Sequence, residues 1–321
     1  MIKRRKFLQA AAVGVALAIV QVAPLSPAHA AEPAHVVRIG YQKYGNFILL
    51  KGTGALEQKL APLGVKVEWT EFPSGPPLLE ALNAGAIDLG QTGEAPPIFA
   101  QAANAGFVYV AHEPPAPKGE AILVPKDSTI KSVADLRGKK VAFNKGSNVH
   151  YLLVKALEKA GLKYTDVQPV FLAPSDALAA FSRGSVDAWV IWDPYEAAAE
   201  ASTRARVLAD GTDVVANYQF YFTSKGFLSH DAKAVDVVLE ALNEADDWTK
   251  NNIEAVAEQL SSSVGLPASV LAVSLKRESY GILPISDAVI ASQQRIADTF
   301  FGLGLLPKAV TVSDLQRKPG S

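Results

Sequence analysis

One phrase of this sequence is written twice, and nothing else in it constrains the fold as strongly. Ala81-Leu-Asn-Ala-Gly85-Ala-Ile-Asp88-Leu-Gly90 returns 99 residues later as Ala180-Phe-Ser-Arg-Gly184-Ser-Val-Asp187-Ala-Trp189. Each copy reads as a helix end, a stop and the start of a buried strand. Gly85 and Gly184 supply the left-handed position that closes a helix, a β-branched residue opens the strand, and Asp88 and Asp187 meet the need for a polar group at its start. The flanks agree as well. Val36-Val-Arg-Ile-Gly-Tyr41 is an apolar strand followed by a Gly- and Asn-bearing loop and a helix; Lys139-Lys-Val-Ala-Phe143 is followed by Asn144-Lys-Gly-Ser-Asn148 and another helix. A shared order of elements marks a duplication, where a single shared word would not. Two α/β lobes of about a hundred residues each are expected.

The first thirty residues stand outside that scheme. Lys3-Arg4-Arg5-Lys6 is a cationic start, Phe7 to Ala23 is apolar and uncharged, and Ala28-His29-Ala30 is a small-x-small cleavage site. This is the pattern of an export signal, with the mature chain beginning near Ala31. The apolar run falls short of the ~20 residues that span a bilayer, so stable membrane insertion after cleavage is not expected. Arg4-Arg5-x-Phe7-Leu8 resembles a twin-arginine signal, while Lys3 and Gln9 suit a general secretory signal equally well. The chain has no cysteine, which excludes disulfides, thiolate metal sites and a lipidated N-terminal Cys. An exported protein without an anchor is expected in a periplasm. Removing residues 1–30 leaves 27 Lys+Arg against 32 Asp+Glu, a net charge of −5, and so no basic field for nucleic acid.

Along the remainder, strand and helix patterns alternate through Tyr221-Phe222 and then give way to long helices: Val235 to Trp248, Ile253 to Ser261, Ala268 to Tyr280 and Ser286 to Leu303. A helical tail returning to the first lobe is the economical arrangement. The expected division is lobe 1 from 31–121 with 223–321, and lobe 2 from 122–222. The chain then crosses between lobes near Ile122 and near Phe222, leaving a cleft with two hinge strands.

Ligands of open α/β sheets bind outside the carboxyl ends of the strands. That rule selects the loops Gln42–Asn46, Ser74–Pro76, Thr92–Glu94, Asn144–Asn148, Ser175–Asp176 and Trp192–Tyr195. Lys145-Gly146-Ser147-Asn148 has the form of an oxyanion-binding helix start, because Gly146 admits a close backbone approach and the helix end offers N–H groups and partial positive charge. Ser147 could equally cap its own helix. Ser74-Gly75 and Thr92-Gly93 precede helices in the same way, and the fold would aim all three at one point. Glu94 would repel an anion, so it suits either the positive end of its helix or an amino group on the ligand. Gln42 is a candidate from the first of these loops; His150 could donate to the ligand or simply satisfy its own helix start. Trp192 offers an aromatic wall, with Asp193 beside it to fix a neighbouring loop or accept from the ligand; Trp189 belongs to the core.

Signatures of catalysis are sparse. Ser229-His230-Asp231 has the composition of a triad, yet three consecutive residues cannot point at one another, and a helix cap before Ala232 explains them better. There is no G-x-S-x-G, P-loop or G-x-G-x-x-G. His112, His150 and His230 are not paired at helical ligand spacing, so no metal or cofactor is expected.

Glu71-Phe-Pro-Ser-Gly-Pro-Pro77, Asp88-Leu-Gly-Gln-Thr-Gly-Glu94-Ala-Pro-Pro-Ile-Phe-Ala-Gln101, Lys145-Gly-Ser147-Asn-x-His150 and Val186-Asp-Ala-Trp-x-Ile-Trp-Asp-Pro-Tyr195 together resemble the aliphatic sulfonate-binding proteins of ABC importers, over essentially the whole mature chain. The resemblance implies a two-lobed periplasmic-binding-protein fold of type II, two three-layer α/β lobes with a ligand cleft between them. It also implies a monomeric, non-enzymatic protein that captures an alkanesulfonate and delivers it to a membrane permease with a cytoplasmic ATPase, as a sulfur source. Nitrate, taurine, phosphonate or a thiamine-precursor pyrimidine could occupy the same kind of cleft. Enzymes also use this fold, including a pyrimidine-precursor synthase.

Overall fold

The computed structural model describes residues 35–317; the expected export signal and cleavage site lie outside them. The chain runs β1 (His35–Tyr41), α1 (Asn46–Thr53), α2 (Ala55–Leu60), β2 (Val65–Glu71), α3 (Gly75–Asn83), β3 (Leu89–Gly93), α4 (Pro96–Ala102) and β4 (Phe107–His112). It continues through β5 (Glu120–Val124), β6 (Lys140–Phe143), α5 (Asn148–Lys159), β7 (Gln168–Phe171), α6 (Pro174–Ser182), β8 (Ala188–Trp192), α7 (Tyr195–Thr203) and β9 (Arg206–Asp210). It ends with β10 (Gln219–Ser224), α8 (Lys225–Asn251), α9 (Ile253–Val264), α10 (Ala268–Arg277) and α11 (Asp287–Gly302). The apolar run from Phe47 to Leu60 forms two helices, broken where Gly54 adopts a left-handed φ of 65°.

The strands form two five-stranded sheets, ordered β2-β1-β3-β10-β4 and β7-β6-β8-β5-β9. They have one topology. In each, four strands run in one direction, and the strand that follows a crossing, β10 or β5, lies antiparallel between two of them. The duplicated phrase occupies equivalent places. Gly85 and Gly184 both have left-handed φ, 71° and 68°. Each Asp makes the same bond: Oδ2 of Asp88 accepts from the N–H of Arg38 at 2.9 Å, and Oδ2 of Asp187 from the N–H of Lys140 at 2.7 Å. Each aspartate also donates its own N–H back to that partner's carbonyl, at 2.7 and 2.9 Å. The repeat is thus a device that sets the register of the central parallel pair.

The crossings fall at 113–119 and 211–218. Gln219 to Phe222, expected in lobe 2, pair within the first sheet, and Glu120 and Ala121, expected in lobe 1, pair within the second.

One face of the first sheet is buried by α1, α2 and α8 to α10, through Leu50, Leu56, Val238 and Leu242. Its other face is covered by α3, α4 and α11, through Leu78, Ile98 and Phe300. The helical tail therefore returns to the first lobe and sandwiches its sheet. The second lobe closes its own core around Trp189, Phe143 and Leu153. At the Ser229-His230-Asp231 triplet, Asp231 breaks helical geometry inside α8 and accepts from the N–H of Ala234 at 3.0 Å. It is a cap, as its sequence context indicated.

Candidate functional site

The carboxyl ends of β1, β3 and β8 and the start of α5 meet at a cleft between the lobes. Gln42, Tyr44, Gly75, Gly93 and Pro96 line it from the first lobe with Gln219; Ser147, Asn148 and Trp192 line it from the second. The lining side chains are neutral: amides, hydroxyls, a proline and an indole. The lobes are closed on one another. The remaining cavity is about 20 Å³, room for about one water molecule. Closure is possible because Gly93 has no side chain: a Cβ there would meet the Asn148 amide at 1.9 to 2.2 Å.

The three helix starts are unequal, contrary to the expectation that they present a common form. The start of α3 is Gly75-Pro76-Pro77 and that of α4 is Pro96-Pro97, and proline has no N–H to offer. Only α5 opens with consecutive N–H groups, those of Asn148 and Val149, which no preceding turn can take. Ser147 does not cap that helix, since its hydroxyl donates to the carbonyl of Asn144 at 2.7 Å. The start of α5 is therefore the one of the three that offers backbone N–H groups to the cleft.

The return crossing reaches the same point. Asn217, in left-handed conformation with φ 51°, accepts from the Asn148 amide at 2.6 Å and from Gln219 at 3.3 Å, and donates to the carbonyl of Ala116 at 2.9 Å. Both crossings are thereby tied to the first residue of α5. On the first lobe, Gln42 donates to the carbonyl of Gln91 at 3.0 Å. Thr92 and Gly93, expected in a loop, instead complete β3.

Six of the candidate residues, Gln42, Gly75, Gly93, Ser147, Asn148 and Trp192, line the cleft. The others lie behind it. Ser74 is buried ahead of α3, and the Thr92 hydroxyl donates to the carbonyl of Gly93 at 3.0 Å. Gly146 takes a left-handed φ of 77° and donates its N–H to Nδ1 of His150 at 3.3 Å. His150 is fully buried between Phe99, Phe143 and Phe300, with Nε2 at 3.1 Å from the Tyr164 hydroxyl. Burial, aided by the charge of Lys145, lowers its pKa to about 3. It is a neutral core histidine that fixes the Gly146 turn.

Asp193 is also turned away. Its Oδ1 accepts from the N–H of Ala197 at the start of α7, and its Oδ2 faces Arg277 of α10 at 3.4 Å. The same guanidinium meets Glu196 at 2.9 Å and Glu200 at 2.6 Å. Asp193 thus ties the start of α7 to the end of α10. Glu94 is fully buried; its Oε2 accepts from the N–H of Tyr218 at 3.0 Å, and it borders a separate groove of about 610 Å³ between α5 and α11. Burial pushes its pKa up to about 7, against the pull of backbone donors at Tyr218 and Asn217.

Tyr44, Pro96 and Gln219 line the cleft without having been singled out as candidates. Gln219 carried a legible signal, one amide opening the aromatic run Phe220-Tyr221-Phe222; Tyr44 and Pro96 carried none beyond adjacency to selected loops.

Two equivalent α/β lobes, joined by two crossings and closing on a neutral cleft, define a binding protein of the periplasmic-binding-protein fold. Residues 62–255 match the family model described as NMT1/THI5 like. An Escherichia coli (strain K12) protein named for aliphatic sulfonate binding is 49% identical over 277 residues, 86% of either chain. The alkanesulfonate-binding protein SsuA from Xanthomonas axonopodis pv. citri, solved bound to MOPS, superposes with a TM-score of 0.85 at 43% identity, covering 90% of this chain and 99% of that one. The periplasmic aliphatic sulphonate binding protein SsuA from Escherichia coli gives 0.82 at 47% identity, covering 90% and 94%. The chain belongs to the aliphatic sulfonate-binding proteins within the NMT1/THI5-like family.

Proposed function

We propose that this protein is exported, captures alkanesulfonates in the cleft and hands them to an ABC permease and its ATPase, acting as a monomeric binding protein and not as an enzyme. The lobes hinge at 113–119 and 211–218, and the ligand-contacting residues are Gln42, Gly75, Gly93, Ser147, Asn148, Trp192, Tyr44 and Gln219. The observation that carries this reading is a single helix start with free N–H groups, inside a cleft lined by neutral side chains. A sulfonate is a monoanion at every physiological pH, so it can be held without arginine. Hydrogen bonds to a charged group contribute roughly 1.5–3 kcal/mol each and the helix end about 0.3–1. Burying on the order of 100 Å² of alkyl chain adds about 2.5 kcal/mol. After the association cost of several kcal/mol, micromolar affinity is within reach. The near absence of free space in the closed cleft means that ligand enters an open form and stabilises the closed one by touching both lobes.

A thermal-shift panel tests the assignment. C2–C6 alkanesulfonates are expected to raise the melting temperature more than sulfate or nitrate at equal concentration, following RT ln(1 + [L]/Kd). A larger shift with nitrate or a pyrimidine would refute the substrate class. The buffer must itself be free of sulfonate, since a relative was solved with MOPS bound.

A further inference from the structure

The equivalence of the two lobes singles out Glu120. In the first sheet β10 opens, directly after a crossing, with Gln219, which is registered opposite Gly93, the last residue of β3. In the second sheet β5 opens, again directly after a crossing, with Glu120, registered opposite Trp192, the last residue of β8. Gln219, Gly93 and Trp192 all line the cleft. Directly opposed residues of an antiparallel pair project from the same face, so the Glu120 side chain stands beside the indole of Trp192. Glu120 occupies in lobe 2 the place that a cleft-lining amide occupies in lobe 1.

Glu120 is fully buried, and neither of its carboxyl oxygens has a hydrogen-bond partner. From the opposite lobe, Oε1 of Glu94 is likewise buried and without a partner. The two carboxyls repel one another, and Glu196 adds to the repulsion on Glu120. Glu196 is answered by Arg277 at 2.9 Å; neither Glu94 nor Glu120 has an ion-pair partner among the described residues. A buried carboxyl without a donor is destabilising, and such groups in native proteins call for an explanation. An ammonium group supplies what both lack: N–H donors, and a positive charge that lets the carboxyls ionise without water. The face of a neighbouring indole suits the same ligand, since a cation over a tryptophan ring is attracted to it.

The geometry points to Glu120 as a tail-reading subsite: it takes the protonated amine of an aminoalkanesulfonate beside Trp192 and opposite Glu94, while the start of α5 takes the sulfonate. This rests on the sulfonate reading above and narrows it to zwitterionic sulfonates.

An isosteric ligand pair tests it. 3-Aminopropanesulfonate and butanesulfonate differ in having an ammonium or a methyl at the same position. Titration calorimetry in phosphate buffer is expected to give at least tenfold tighter binding of the amino compound by the wild-type protein, and a ratio within twofold for Glu120→Gln. Equal wild-type affinities, or a preference for butanesulfonate, would overturn the subsite whether or not the variant folds, as would a preference that survives Glu120→Gln in a folded variant. Failure of both ligands to bind would instead overturn the sulfonate reading, and the subsite with it.

Discussion

At the scale of single residues, the site depends as much on what is missing as on what is present. Gly93 has no Cβ, and Asn148 fills that space while its amide holds Asn217 at 2.6 Å. Gly93→Ala is expected to weaken alkanesulfonate binding at least tenfold with little change in melting temperature, because the clash arises only when the lobes close. In an Asn148→Ala background the same substitution should cost far less. A double-mutant cycle on Kd checks this, and additive effects would show that the contact does not govern closure. The residues legible in the sequence were those whose role is local. Gly85 and Gly184 end helices, Trp189 fills a core, and Asp231 caps a turn, each from its immediate neighbours. His150 bonds within its own helix start, a local role its position allowed, whereas the partner of Asp193 was not legible, because its direction depends on Arg277, distant in the chain. Polar type and nearness to a loop do not reveal which way a side chain turns.

Among elements, α10 couples the tail to the wall of the cleft. Leu271, Ala272 and Leu275 bury one side of it in the first lobe, while Arg277 at its end reaches Asp193, Glu196 and Glu200 in the second. Asp193 follows Trp192 directly and donates its N–H to the carbonyl of Gly119 in the first crossing at 3.0 Å. The loop bearing the indole is therefore held from the tail and from the hinge together. Arg277→Ala leaves three carboxylates facing one another, and burial already holds Glu196 up at about 9 and Asp193 at about 6. The variant is expected to lose 2 kcal/mol or more of stability, about the cost of breaking a partly buried ion pair. It should also bind ligand more weakly, with Arg277→Lys recovering part of both; urea melts and titrations measure the two effects. The element order was readable from periodicity and from the repeat; α9 to α11 were found within a few residues, while α8 begins at Lys225, ten residues ahead of the expected Val235. The boundaries at β5 and β10 were not, because sheet membership there is decided by pairing with β8 and β3, far away in sequence.

For the whole molecule, buried carboxyls set the response to pH. Burial raises Glu94 and Asp246 to about 7, so the folded state keeps protons there that the unfolded chain has released. Their contribution to stability is present at low pH and is lost as pH rises from about 4 through 7. His150, lowered to about 3, acts in the opposite sense: the unfolded state binds the extra proton, so stability grows with pH up to about 6.5 and then levels. Above 6.5 only the carboxyls remain, with Glu196 extending the trend. The melting temperature is expected to fall between pH 6.5 and 8, and to fall less in Glu94→Gln; scanning calorimetry of the two proteins across that range checks it. The order of strands has a further consequence, in the timing of assembly. Lobe 2 is one unbroken run from β5 to β9, so it can close as soon as that run has been made. The first sheet cannot, because β3 and β4 stay unpaired at their shared position until β10 arrives. A chain made from its N-terminus outward finishes its first lobe last, and acquires its ability to hold a ligand only when residue 219 and the helices behind it have come back to fill the gap.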